Sequence, residues 1–114
     1  MEMTNTERFL SYLRHYEMKD IEAISEMFAD DVTLRDWKVF VSGKAAALAE
    51  TRLNFAAAKS IQIQPLRLYQ ATGSVSAELK IVVDGVNELF VVDVVDFASD
   101  GRIASIRAFL GRGE

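Results

Sequence analysis

The sequence predicts an α+β domain in which a curved sheet wraps a set of helices. Two patterns carry that expectation. Apolar residues recur at helical intervals through most of the first half of the chain, and at strand intervals through the second. The turn signals Asp84-Gly85 and Ser99-Asp100-Gly101 then cut the second half into consecutive antiparallel strands. The element order reads α-α-β-α-β-β-β-β, in one domain spanning residues 1–114.

The first helix opens at Thr4-Asn5-Thr6-Glu7, where Thr4 and Glu7 have capping-box spacing. Phe9, Tyr12, Leu13 and Tyr16 then fall on one face. Asp20 is placed to cap a second helix that buries Ile21, Ile24 and Phe28. In the first strand Val32, Leu34 and Asp36 alternate with Thr33, Arg35 and Trp37. Ser42-Gly43 starts a third, alanine-rich helix carrying Leu48 and Phe55 and ending near Ser60. Ile61 and Ile63 share one strand phase, and Leu66 and Leu68 take the other after Pro65. A phase change of that kind predicts a bulge or bend. Val75, Ala77, Leu79, Ile81 and Val83 alternate with polar partners up to the Asp84-Gly85 hairpin. The strand from Val86 to Ala98 is apolar on both faces, so both should be covered. A last strand runs from Arg102 to Leu110.

The composition bounds the function. Half of the 114 residues are hydrophobic and 26% are charged, the balance of a globular chain able to bury its own core. Thirteen Lys and Arg against 17 Asp and Glu leave a net charge of −4, which argues against nucleic acid or an anionic membrane as partner. There is no cysteine, so disulfides, thiolate catalysis and zinc–thiolate sites are excluded. A single histidine, His15, argues against a histidine metal cluster or a Ser-His-Asp triad, and no metal or cofactor is expected. His15 falls near a helix C-terminus, off the apolar face, where a cation suits the dipole. The polar, acidic start MEMTNTERF is not a signal peptide, and the apolar runs are too short to span a bilayer, so a cytoplasmic protein is expected. The closing Gly-Arg-Gly is too short for a phosphate loop.

Three ionisable side chains stand where the pattern calls for apolar ones. Asp93 shares its phase with Leu89, Val91, Val95 and Phe97. Asp36 shares its phase with Val32 and Leu34, and Tyr12 lies on the apolar face of the first helix. A core-facing carboxylate costs several kcal/mol unless it is paired, hydrogen-bonded or protonated. An apolar cavity with a few convergent polar groups accounts for all three. The structural readings are that Asp36 caps a turn, that Tyr12 is a core tyrosine with its hydroxyl at the rim, and that Asp93 pairs with Arg107. Asp96, in phase with Val92 and Val94, could serve an interface.

The stretch from Tyr12 through DIEAISEMFADDVTLRD, with the closing VVDVVDFASDGRIASIRAFLG, resembles the nuclear transport factor 2-like superfamily, specifically its SnoaL-like and ketosteroid isomerase-like members. The resemblance covers nearly the whole chain. It implies a cone, in which a strongly bent mixed or antiparallel sheet packs on three helices and encloses a deep pocket, dimeric through the sheet. It also places an Asp general base at Asp36 and an oxyanion hole at Tyr12 and a protonated Asp93, without gaps. Phe9, Tyr16, Phe28, Trp37, Phe55, Val91, Arg107 and Phe109 are the expected pocket lining. The sequence departs from the isomerases at Trp37, where they commonly carry Pro, in a shorter loop to Gly43, and at Thr51, where a supporting Tyr is expected.

The enzyme reading is proton transfer without a cofactor. Asp36 would remove a proton α to the carbonyl of a small apolar ketone, and Tyr12 with neutral Asp93 would stabilise the dienolate. The alternatives are a non-catalytic binder of a small apolar molecule or a dimeric scaffold. A cyclase or an epoxide hydrolase of the same fold is a further alternative, and the hydrolase would need Arg107 deep in the pocket beside a water-activating Asp. The expected partners are therefore a small apolar molecule and a second copy of the chain.

Overall fold

The computed structural model describes residues 3–112. The first two residues of the polar N-terminal stretch, and Gly113 and Glu114 at the tail, lie outside them. Helix α1 (Asn5–Glu17) starts with the expected capping box: the Thr4 hydroxyl accepts the Glu7 N–H, and the Glu7 carboxylate accepts the Thr4 N–H. The helix buries Phe9, Tyr12 and Leu13. Beyond it Lys19 turns the chain in the left-handed conformation (φ 56°), and its ammonium donates to the Ala58 carbonyl past the end of α3. Helix α2 (Ile21–Met27) is capped by Asp20, whose carboxylate accepts the Ala23 N–H at 3.1 Å, and it buries Ile24.

Strand β1 (Phe28–Arg35) runs straight out of α2. A short strand β2 (Phe40–Ser42) pairs back on it before α3 (Lys44–Ala57). The sequence reading missed β2, because three residues are too few to show an alternation. Gly43 links β2 to α3 at φ 93°, where a side chain would be strained, and donates its N–H to the Val32 carbonyl at 2.8 Å. Four long strands follow: β3 (Ile61–Ala71), β4 (Ser74–Val83), β5 (Asn87–Phe97) and β6 (Ile103–Leu110). The β4–β5 turn has both central residues, Asp84 and Gly85, at positive φ and is closed by the Val86 N–H on the Val83 carbonyl, as in a type I′ hairpin.

The six strands form one curved, unclosed sheet in the order β2-β1-β6-β5-β4-β3. Only β1 and β6 are parallel, so the sheet is mixed. Helix α1 packs on β3 and β4, α3 packs on β1 and β2, and α2 touches both helices. The core between helices and sheet holds Phe9, Ile24, Phe28, Val32, Val75, Leu79, Val95 and Ile103. Burying each such side chain contributes roughly 1.5–3 kcal/mol. The fold class is the predicted one.

Three register shifts mark the sheet, one of them where β1 pairs with β6, between Phe28 and Thr33, and the other two in β3 and β6. In β3 the pairing slips between Pro65 and Arg67, the bulge announced by the change of apolar phase. Pro65 has no N–H to offer on this edge strand, and the Ile63 N–H is taken by the Glu17 carboxylate at 2.6 Å. In β6 the pairing with β5 runs from Phe97–Ile103 to Asp96–Ser105, leaving Ala104 as an extra residue. That insertion reverses the alternation. Ile103, Ile106 and Ala108 face inward, and Ser105, Arg107 and Phe109 face out.

Candidate active site

A cavity of about 110 Å³ opens between α1, α3 and the inner face of the sheet. Tyr12, Leu13 and Tyr16 of α1 line it from one side, and Thr51 and Asn54 of α3 from another. Leu34, Asp36 and Trp37 close it at the end of β1, and Ile63, Leu79, Ile81, Val91, Asp93, Ile106 and Ala108 form its sheet wall. Leu79, Val91 and Ile106 are buried, whereas Trp37 and Asn54 are exposed, so the sheet forms the floor and the latter two mark the mouth.

The structure thus brings Tyr12, Asp36 and Asp93 to one cavity, with Tyr16, Trp37 and Val91 beside them. Five other residues of the expected lining are elsewhere. Phe9 and Phe28 are fully buried in the core, and Phe55 packs edge-on behind Tyr16 with ring centroids 4.9 Å apart. Arg107 and Phe109 were placed inward by simple alternation, and the bulge at Ala104 turns both outward. Arg107 Nη1 pairs with Asp96 Oδ2 at 2.8 Å, not with Asp93. Among the described residues no Arg, Lys or His lines the cavity.

Asp93 sits mid-strand on β5, opposite Ala77 of β4 and Ala108 of β6, two small side chains that leave room above it. Its carboxyl accepts no hydrogen bond from the described residues, and its partial accessibility is to the cavity. Desolvation by the apolar wall raises its pKa to about 7. Near neutrality a large share of the molecules carry it as a neutral acid that can donate a hydrogen bond.

Asp36 follows β1 and turns the chain toward β2. Its Oδ1 accepts the N–H groups of Lys38 and Val39 at 2.7 and 2.8 Å, and its own N–H donates to the Val39 carbonyl. The turn-capping reading and the cavity reading are therefore both realised. One oxygen fixes the turn, and both turn bonds leave Oδ2 free of donors among the described residues.

Tyr12 is buried, and its phenol pKa is pushed well up by burial, with smaller contributions from Tyr16 and Asp93. It stays protonated and can donate. Tyr16 meets Tyr12 edge-on, with ring centroids 5.9 Å apart at 65°, and its hydroxyl accepts from Asn54 Nδ2 at 3.2 Å. Thr51 satisfies its hydroxyl on the Ala47 carbonyl of its own helix, at 2.8 Å. Asn54 escaped the sequence reading. The available signal was a polar residue one helical turn past Thr51 and next to Phe55.

The cavity gathers groups suited to acid–base chemistry: a carboxyl near the mouth, two phenols and a buried acid. Among the described residues no group of three or more His, Asp or Glu gathers to hold a metal ion.

Neither a family model nor a curated protein matches this sequence. Solved structures do. A nuclear transport factor 2-like protein of unknown function from Cytophaga hutchinsonii superposes with a TM-score of 0.82 at 11% identity, over 97% of this chain and 93% of that one. The epoxide hydrolase/cyclase-like enzyme SalBIII, with a role in pyran ring formation in the polyether salinomycin, gives 0.82 at 26% identity over 94% and 90%. A protein described as an isomerase of the SnoaL-like family, from Agrobacterium tumefaciens, gives 0.77 at 13% identity over 90% and 93%. The architecture these three share with the present chain is the nuclear transport factor 2-like fold, and the likeness covers 90–97% of this chain.

Proposed function

We propose that this protein is a cofactor-independent acid–base catalyst acting on a small, largely apolar ketone. Asp36 removes the proton α to the carbonyl through its free oxygen. Tyr12 and neutral Asp93 donate hydrogen bonds to the oxygen as it becomes an enolate; in a β,γ-unsaturated ketone the enolate is a dienolate, and the proton is returned at its γ carbon as the double bond moves to the α,β position. The observation that carries this reading is Asp93: an unpaired carboxyl, held near a pKa of 7, in the same cavity as a second carboxylate and a buried phenol. The pairing of an acid and a base with different environments is what such chemistry requires. The volume, about 110 Å³, lies below the roughly 150 Å³ of an apolar cavity that holds benzene, which limits the ligand to at most a single small ring reaching toward the mouth.

The test is conversion of a β,γ-unsaturated cyclohexenone to its conjugated isomer, followed by absorbance. Asp36→Asn keeps the turn-capping oxygen but not the base, and should lower the rate by a hundredfold or more with an unchanged fold. Full activity in that variant overturns the assignment of the base. A wild type inactive on such ketones that still binds phenols would make the domain a binder.

A second reading is favoured by the likeness to SalBIII, whose identity is the highest of the three. The same pair could open an epoxide: Asp93 protonates the epoxide oxygen as the C–O bond breaks, while Asp36 takes the proton of the attacking hydroxyl. A small hydroxy-epoxide offered to the protein distinguishes the two, because ring closure consumes it and enolisation does not.

We also propose a homodimer through the outer face of the sheet. Val92 and Val94 of β5 lie there beside the exposed Phe109, and no helix covers that face among the described residues. Sedimentation should give twice the 12.7 kDa chain mass, and Val92→Lys should return it to one. A wild type that sediments as a single chain at micromolar concentration overturns the dimer.

A further inference from the structure

The mouth of the cavity carries a polar pair that the proton-transfer scheme does not use. Tyr16 is clamped between Tyr12 and Phe55 by two edge-on ring contacts, so its hydroxyl has one position. There it accepts from Asn54 Nδ2 at 3.2 Å. With that lone pair engaged, the hydroxyl proton is left to donate, and it finds no acceptor among the described residues. The Asn54 Oδ1 is likewise without a donor, and Asn54 is exposed at the opening. Burial raises the Tyr16 pKa, the Asn54 bond offsets part of that, and the Asp93 and Asp36 carboxyls add to it, so the phenol remains a donor at neutral pH.

A donor and an acceptor side by side match one group above others. A ligand hydroxyl can accept from Tyr16 and donate to Asn54 Oδ1 at once, whereas a carbonyl or an ether can only accept. A carboxylate or phosphate is disfavoured, because the cavity wall carries the two carboxyls of Asp36 and Asp93, the latter ionised in only part of the molecules near neutrality, and no cation among the described residues lines it. We propose that Tyr16 and Asn54 form a second polar subsite, which binds a hydroxyl group of the ligand and selects small neutral hydroxy-ketones over unsubstituted ketones. The proposal rests on the reading above only in placing the ligand's carbonyl at Tyr12 and Asp93.

Trp37 is the sole tryptophan of the chain and lines the cavity, so its fluorescence reports occupancy. The probes are phenols, whose hydroxyl mimics an enol at the floor, carrying a second hydroxyl at the meta or para position. The cresols of matched size are the controls. The wild type should bind the better dihydroxybenzene about five- to tenfold more tightly than its cresol, the yield of one or two neutral hydrogen bonds. In Tyr16→Phe, which keeps both ring contacts, and in Asn54→Leu, the ratio should fall toward one. A global loss of folding would weaken every probe and leave the ratio unmoved. Equal affinity in the wild type, or a preference that survives either substitution, overturns the subsite. The floor is tested separately with Asp93→Leu, which should weaken dihydroxybenzene and cresol alike. A flat response there removes the floor assignment while the selectivity at the mouth stands.

Discussion

Asp93 and Asp96 lie three residues apart on β5, and the sheet separates them completely. Asp93 faces the cavity with no hydrogen-bonding partner and is pushed up to about 7 by desolvation. Asp96 faces out, half-buried, and desolvation is the largest single influence on it and again raises its pKa. Three donors more than offset that: the hydroxyls of Ser74 and Ser105 and the guanidinium of Arg107 together hold its carboxyl below the ordinary value. Residue type, strand and distance along the chain are nearly the same. The difference is made by what the neighbouring strands present on each face, alanines and valines inside, hydroxyls and a cation outside. A carboxylate supplied with donors is structural, and one deprived of them is left with chemistry to do.

The sharpest break in this comparison is expected in turnover. Asp93→Leu should cost a hundred- to thousandfold in rate on the cyclohexenone, the range seen when one oxyanion donor is removed. Asp96→Leu should leave the rate within about twofold, since its contacts lie on the other side of the sheet. Equal losses would mean that both residues act through the stability of β5.

Stability comes next, and the two residues should respond with opposite signs. Asp93 binds its proton more tightly folded than unfolded, so its contribution is fully favourable below the unfolded value of about 3.9. It is lost as pH rises toward 7, by at most ~4 kcal/mol, less where cavity water screens the charge. Asp93→Asn should therefore be more stable than the wild type at pH 8 and lose that advantage toward pH 4. Thermal unfolding across that range checks it. A variant several kcal/mol less stable at pH 8 would show that Asp93 has an ionised partner after all.

The smallest effect belongs to Asp96. Its folded pKa is lowered, so it stabilises above the unfolded value and loses that contribution as pH falls below about 4. The side chains of Arg107 and Asp96 are 44% and 34% exposed, so solvent screens the pair, and Asp96→Asn should cost only ~1 kcal/mol at pH 7. Added salt should shrink that difference further.

Much of this was legible in the sequence, and the failures have physical reasons. The capping box at Thr4 and Glu7, the bulge after Pro65 and the hairpin at Asp84-Gly85 each rest on local chemistry that tertiary structure had no cause to override. Tyr12, Asp36 and Asp93 stood out because a polar residue in an apolar phase needs a cavity or a partner, and phase is readable as long as the strand is regular. It stopped being readable at Ala104. One inserted residue exchanged the two faces of β6, so Arg107 and Phe109 were assigned inward while Ile106 and Ala108 took the wall. Phe9, Phe28 and Phe55 show a different limit. All three are buried as expected, although Phe28 opens β1 instead of lying on α2, but a pattern of faces carries no depth, and these rings form the layer behind the cavity.

The borders of the sheet bear on how copies of this chain can meet. At one border β2 offers three residues, too short a ribbon to seed further pairing. At the other, β3 is kinked at Pro65, and its Ile63 amide is already held by Glu17. Both rims offer only short or kinked edges to a neighbouring strand, the features by which sheets discourage growth by sideways addition, the route to fibrils. The homodimer proposed above would then meet through the broad outer face, where a twofold arrangement would use the same patch on each partner and close on itself at two.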